Sequence, residues 1–169
     1  MKTDMPEAVP QVLVEARRLE QDGLAFYRES ADRTKSNKGR EMFLSLADAE
    51  ALHQRLIQRE IDSLAQEGKW VELPEARGPG RDLSQSVFPR GRQGLEKAVG
   101  ADATETEALV LALELEAKSY ELYRREAQSA DHAAAKGMYE FLAGQERTHF
   151  DVLMAAYETM VHYGGWAEL

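Results

Sequence analysis

Cysteine is absent from the 169 residues of this chain. Its absence excludes disulfide bonds, zinc–thiolate sites, iron–sulfur clusters and a thiol nucleophile. Any metal or redox chemistry must therefore depend on carboxylates and on the four histidines. Long apolar runs are absent as well, because nowhere do about 18 apolar residues follow one another, as a membrane-spanning helix requires. Residues 1–10 lack the apolar segment of a secretory signal, so we expect a cytoplasmic protein with no membrane contact.

Positive charge is in deficit. The chain has 21 Lys and Arg against 30 Asp and Glu, a formal net charge of −9. An acidic surface repels the phosphate backbone, so we expect no nucleic-acid partner. Hydrophobic residues nevertheless make up 43% of the chain, which is too many for a disordered protein. The length predicts a single domain over residues 1–169.

Strand-like alternation of apolar and polar residues is also scarce. Four stretches carry apolar residues at steps of three and four, the spacing of amphipathic helices. They span residues 9–33, 40–66, 103–130 and 133–162. The sequence therefore predicts an all-α fold.

The third and fourth predicted helices are joined by a short link, but the second and third are separated by residues 69–101, which are rich in proline and glycine. A helix of about 26 residues is roughly 39 Å long, and an extended chain covers that distance in about a dozen residues. This linker can therefore run back along the bundle and make helices two and three parallel. Its length favours a four-helix bundle with a long crossover over a simple up-down-up-down bundle.

An internal repeat with an offset of 96 residues divides the chain into two similar helical hairpins. The first helix of each hairpin carries a repeated glutamate and tyrosine, and the second carries a repeated Glu-x-x-His motif. Glu20, Tyr27, Glu50 and His53 recur as Glu116, Tyr123, Glu146 and His149.

These glutamates and histidines occupy core-facing positions. Glu20, for example, continues the line of Leu13 and Ala16. Each Glu-x-x-His places both side chains on one helix face, and the spacings to the helix links bring the four glutamates to one height in the bundle. Burying four carboxylates is strongly unfavourable unless their charge is neutralised. Two divalent cations would do so, and oxygen and imidazole ligands suit iron or manganese and tolerate zinc.

With these residues in place, the chain resembles the ferritin-like di-iron superfamily, and within it the rubrerythrin group. The resemblance covers all four helices, from about residue 9 to 163. It implies that two iron ions are bridged by Glu50 and Glu146. It further implies that the remaining ligands are terminal, with Glu20, Glu116, His53 and His149 each binding one metal.

Tyr27 and Tyr123 each lie one heptad after a cluster glutamate. Because helical side chains lean toward the amino terminus, we expect each phenol to hydrogen-bond the glutamate seven residues earlier and so orient a ligand carboxylate. Ordinary core packing is the alternative. Two further histidines, His132 and His162, lack the repeated pattern and are interpreted as surface or cap residues.

The resemblance implies an oxidoreductase that reduces hydrogen peroxide or dioxygen at the six-residue site. Many rubrerythrins have a further carboxylate where this chain has Ser119, and many carry a four-cysteine rubredoxin domain that this sequence lacks. Electrons are therefore expected from an external redox protein, and the resemblance suggests a homodimer. Two alternatives stay open: a ferroxidase in iron handling, and a helical interaction module that binds no metal.

Overall fold

Four long helices form the molecule in a computed structural model, which describes residues 9–76 and 103–166. They are α1 (Gln11–Arg33), α2 (Asn37–Glu67), α3 (Ala103–Ser129) and α4 (Ala133–Tyr163), with a single 3-10 turn at Pro74–Ala76. No strand occurs in these residues. The predicted all-α fold is confirmed.

The ends of α2 and α4 are fixed by the same kinds of cap. The Ser36 hydroxyl accepts a hydrogen bond from the Gly39 backbone N–H at 3.2 Å, so α2 begins three residues before the predicted start. His132 caps α4 as expected, since its Nδ1 accepts from the Ala134 N–H at 3.2 Å. Both helices end at a glycine in the left-handed conformation, Gly68 and Gly164. The offset of 96 residues therefore relates both boundaries of the two helices.

Each hairpin pairs its two helices side by side, α1 with α2 and α3 with α4. Contacts between the hairpins run in opposite directions along the chain, because Tyr27 reaches Glu116 while Tyr123 reaches Glu20. Helices α1 and α3 are therefore antiparallel, and α2 is parallel to α3, as the long crossover predicted. The part of that linker from residue 77 to 101 lies outside the described residues.

A polar layer divides the core into two apolar clusters. One lies toward Trp70 and includes Leu13, Ile57 and Leu142. The other packs against Trp166. Within the two described ranges, none of the helices combines the length and apolarity needed to cross a membrane.

Candidate metal centre

The polar layer between the apolar clusters consists of the six residues that the repeat singled out. Their exposed fractions are 6% or less. All four helices contribute, and the six are Glu20, Glu50, His53, Glu116, Glu146 and His149.

These six residues form two overlapping groups, each able to hold a metal ion. In each group every residue offers one ligand atom, and these atoms lie within 4.8 Å of one another. Glu50 and Glu146, one from each half, belong to both groups. The first group is completed by Glu20 and His53, and the second by Glu116 and His149.

The histidines face carboxylates from both hairpins. His53 Nδ1 lies 3.1 Å from Glu20 Oε2 and 3.0 Å from Glu146 Oε1. His149 Nδ1 lies 3.4 Å from oxygens of Glu50 and Glu116. The two imidazole rings stack with centroids 5.4 Å apart. Each imidazole therefore contacts one glutamate of its own hairpin and one of the other hairpin.

Tyr27 and Tyr123 hold the outer glutamates, but from the opposite hairpin. Tyr27 donates its phenolic hydrogen to Glu116, and Tyr123 donates to Glu20. The expectation that each phenol would reach the glutamate on its own helix is wrong. Because α1 and α3 are antiparallel, a residue seven positions after the glutamate of one helix lies level with the glutamate of the other helix. Burial, followed by these carboxylates, raises the pKa of both phenols well above the usual value, so both remain donors.

Burial and mutual repulsion control the charge of the cluster. Burial first, then contact with Glu50, raises the pKa of Glu20 to about 8. Burial and the surrounding carboxylates raise the pKa of Glu146 well above its ordinary value. Burial also acts to raise the pKa of Glu50, but its close contacts with Glu20 and with both histidines outweigh burial and hold that pKa below its usual range.

The pKa values of the two cluster histidines are raised, although burial alone would lower them. Burial lowers the pKa of both imidazoles, but the adjoining carboxylates outweigh it, raising the pKa of His149 to about 9 and that of His53 well above its ordinary value. The cluster therefore keeps protons at neutral pH when no cation is bound. A cation would displace those protons.

Within the described residues, three buried atoms of the cluster make no well-oriented hydrogen bond, although other cluster atoms lie 3.0–3.4 Å away: Glu116 Oε2, Glu146 Oε1 and His149 Nδ1. Leaving such atoms unsatisfied is costly. Together with the sulfur-free donor set and the two groups of ligand atoms, they fit a pair of divalent cations such as iron. On α1 the cluster is bordered by Gly23, where an added Cβ would lie 3.5 Å from the Glu50 carboxyl group, an ordinary contact distance.

One buried glutamate was missed by the sequence argument. Glu60 is fully buried on α2, where its Oε2 accepts from the Val71 N–H at 3.1 Å and its Oε1 has no partner among the described residues. Burial raises its pKa. The signal was present, because Glu60 lies seven residues after His53 on the same helix face. It has no counterpart in the repeat, since the matching position is Ala156.

The family model for rubrerythrin matches residues 11–157. The matched span contains all six residues of the cluster and both tyrosines. No curated protein and no solved structure matches the chain.

Proposed function

The chain belongs to the rubrerythrin family, and we propose that it is a di-iron oxidoreductase that reduces hydrogen peroxide with electrons from an external protein donor. The observation that carries this proposal is the pair of overlapping ligand groups that share Glu50 and Glu146. In the proposal these two glutamates bridge the irons. Glu20 with His53 completes one coordination sphere, and the remaining pair, Glu116 with His149, completes the other.

Charge supports two divalent ions rather than one. Four carboxylates carry four negative charges, and two divalent cations neutralise them without requiring charged imidazoles. When bound, a ferrous pair can supply the two electrons that convert one peroxide, with two protons, into two waters. The protein's own part is to hold the ligands rigidly and keep bulk water out. Tyr27 and Tyr123 support this by fixing the outer glutamates with hydrogen bonds.

The proposal is tested by metal analysis of anaerobically purified chain, followed by stopped-flow mixing of the ferrous protein with peroxide. We expect about two irons per chain and oxidation by peroxide much faster than that of free ferrous ion. Glu146→Ala should lower the iron content, whereas Glu114→Gln should not, because Glu114 is an exposed glutamate on the neighbouring helix α3. Oxidation no faster than that of free ferrous ion would refute peroxide reduction.

Measurements on the same samples distinguish the two alternative functions. Rapid reaction with dioxygen followed by release of ferric ion would identify a ferroxidase instead. No bound metal, with an unchanged melting temperature on adding Fe²⁺, would identify a metal-free helical module. Light scattering tests the proposed homodimer.

A further inference from the structure

A chain of aromatic rings leads from the metal centre to the surface. Tyr123 donates a hydrogen bond to Glu20 and stacks on Tyr139, with ring centroids 6.4 Å apart. Tyr139 in turn lies 6.3 Å from Trp70. Trp70 is partly exposed and stacks on the exposed His132 at 6.4 Å. We call Tyr123, Tyr139 and Trp70 the Trp70 path.

The repeat places a second chain of rings at the other end of the bundle. Tyr27 lies 6.3 Å from Phe43, and Phe43 lies 6.0 Å from Trp166. We call these three residues the Trp166 path, and each is 96 residues from its counterpart. The ring spacings of the two paths are similar, but the middle ring differs. Phenol and indole rings can be oxidised by one electron at potentials that proteins reach, whereas the benzene ring of Phe43 cannot.

The Trp70 path also has acceptors for a proton. A phenol that loses an electron must release its hydrogen ion, and Tyr139 lines the same surface cleft as Glu126 and Trp70. Burial first, then the charges of Glu126 and Glu60, raises the pKa of Tyr139. Glu60 has an unpartnered buried oxygen, and the position matching it in the repeat is Ala156. The buried carboxylate and the oxidisable middle ring therefore occur at the same end.

We propose that the Trp70 path carries single electrons between the bundle surface and the metal centre, and that Phe43 interrupts the Trp166 path. This electron-transfer role rests on the proposed function, because peroxide reduction consumes two electrons. A one-electron protein donor must supply them in two successive transfers. The consequence is that electrons pass between the metal centre and the surface at the end of the bundle where Trp70 and His132 lie.

The central step exchanges one electron between Trp70 and Tyr139. A one-electron oxidant, such as the azide radical, takes an electron from Trp70, and the indole N–H proton goes to water. The resulting neutral indolyl radical takes one electron from the Tyr139 phenol, and delivery of an electron toward the centre is the reverse of this transfer. The phenolic proton passes to Glu126 or Glu60, and the indole nitrogen regains a proton from water. Trp70 is thereby restored, and Tyr139 becomes a phenoxyl radical. The reaction is downhill because the tyrosyl radical is the more stable of the two at neutral pH.

Pulse radiolysis of the iron-free full chain tests this step, with the azide radical as the one-electron oxidant. A Trp166→Phe variant leaves Trp70 as the oxidised indole, and a Trp70→Phe variant leaves Trp166. Both carry Tyr163→Phe, because Tyr163 is 84% exposed and lies close to Trp166 in the chain. With Trp70 alone, we expect the indolyl signal to convert to a phenoxyl signal in a phase independent of protein concentration. With Trp166 alone, that phase should be lost.

Exchanging the middle rings makes the test decisive. Tyr139→Phe in the Trp70 background should abolish the conversion, and Phe43→Tyr in the Trp166 background should create it. The second variant keeps the proposal testable if the first fails to fold, which circular dichroism will show. Equal conversion from both tryptophans, or conversion that survives Tyr139→Phe in a folded protein, would overturn the proposal.

The link to the metal centre has its own measurement. Ferrous iron should shorten the phenoxyl lifetime by giving its electron to the radical, which regains a proton, and Tyr123→Phe should remove this shortening. An unchanged lifetime in protein shown by metal analysis to hold iron would overturn the link. If peroxide oxidises the ferrous protein no faster than free ferrous ion but radical transfer from Trp70 to Tyr139 is observed, the proposed function is refuted and the Trp70 path is retained.

Discussion

The two halves of the molecule agree at the metal centre and differ at the ends of the bundle. Around the cluster every glutamate, histidine and supporting tyrosine has a counterpart 96 residues away, and α2 and α4 match in both boundaries. Beyond it the matching positions differ, for example at Gly39 and Ala135, at Phe43 and Tyr139, and at Glu60 and Ala156. Two similar cations require two similar ligand sets, whereas an end cover needs only to exclude water.

The covering tryptophans show this freedom. Trp166 packs so closely on α2 that a Cβ on Gly39 would lie 2.6 Å from its ring, and its indole N–H donates to Glu105 at 3.1 Å. The position matching Gly39 is Ala135, which has a Cβ and lines the same cleft as Trp70. The same residue type therefore closes both ends with different packing.

The largest expected effect is the loss of metal-dependent stability when a glutamate shared by both ligand groups is removed from either half. Metal present at a thousandfold excess over Kd should raise the free energy of unfolding by about 4 kcal/mol per site. Glu50→Ala and Glu146→Ala should each remove most of this gain, since each glutamate belongs to both ligand groups. Thermal unfolding with and without Fe²⁺ under anaerobic conditions measures it. A large loss from one substitution beside none from the other would break the equivalence.

The metal-free protein should lose stability by a few kcal/mol as pH rises from about 5 to about 9. A raised pKa means that the folded state binds the proton more tightly. Glu20 therefore contributes stability below its ordinary pKa of 4.5 that is lost as pH passes about 8. His149 contributes stability below 6.5 that is lost as pH passes about 9.

Denaturant unfolding across this pH range measures the trend. The lowered pKa of Glu50 acts in the opposite sense, but only below its ordinary value of 4.5. Protein saturated with Zn²⁺ is the control, since the cations replace the protons and the slope should flatten. A metal-free protein whose stability rises toward pH 9 would contradict the pKa directions.

A smaller effect separates the two end covers. Gly39→Ala should destabilise the protein by about 1–3 kcal/mol, because the added Cβ displaces the Trp166 ring. Gly137→Ala is the matched control near the start of α4, where a Cβ meets nothing within 4 Å. There the better helix propensity of alanine should stabilise the protein by about 0.5–1 kcal/mol. Equal effects at both positions would show that the Trp166 cover packs no more tightly than open surface.

The smallest effect lies beside the cluster. Gly23→Ala should stabilise the protein by about 0.5–1 kcal/mol through helix propensity, because its Cβ would meet the Glu50 carboxyl group only at an ordinary contact distance of 3.5 Å. Metal content should stay unchanged, as the matching residue of the other half is Ser119, which already has a Cβ. Loss of metal in this variant would show that the α1 side of the cluster is less tolerant than the α3 side.

The sequence alone determined the four helices, the repeat and the six residues of the centre. All of these depend on spacing within one helix, where residues three, four or seven apart share a face. The capping role of His132 was readable for the same reason, because caps are local. The position of Glu60 on the face of His53 was visible in the sequence too, but without a counterpart in the repeat it did not stand out from the other glutamates.

Only the tertiary structure decided which tyrosine supports which glutamate, how closely Trp166 lies against Gly39, and which rings line up between the centre and the surface. Each depends on the axial offset between helices from different hairpins, and periodicity within one helix leaves that offset undetermined. Tyr27 and Glu20 share a helix, yet antiparallel packing gives Tyr27 to Glu116. Sequence thus determined what each helix presents, and packing determined what it meets.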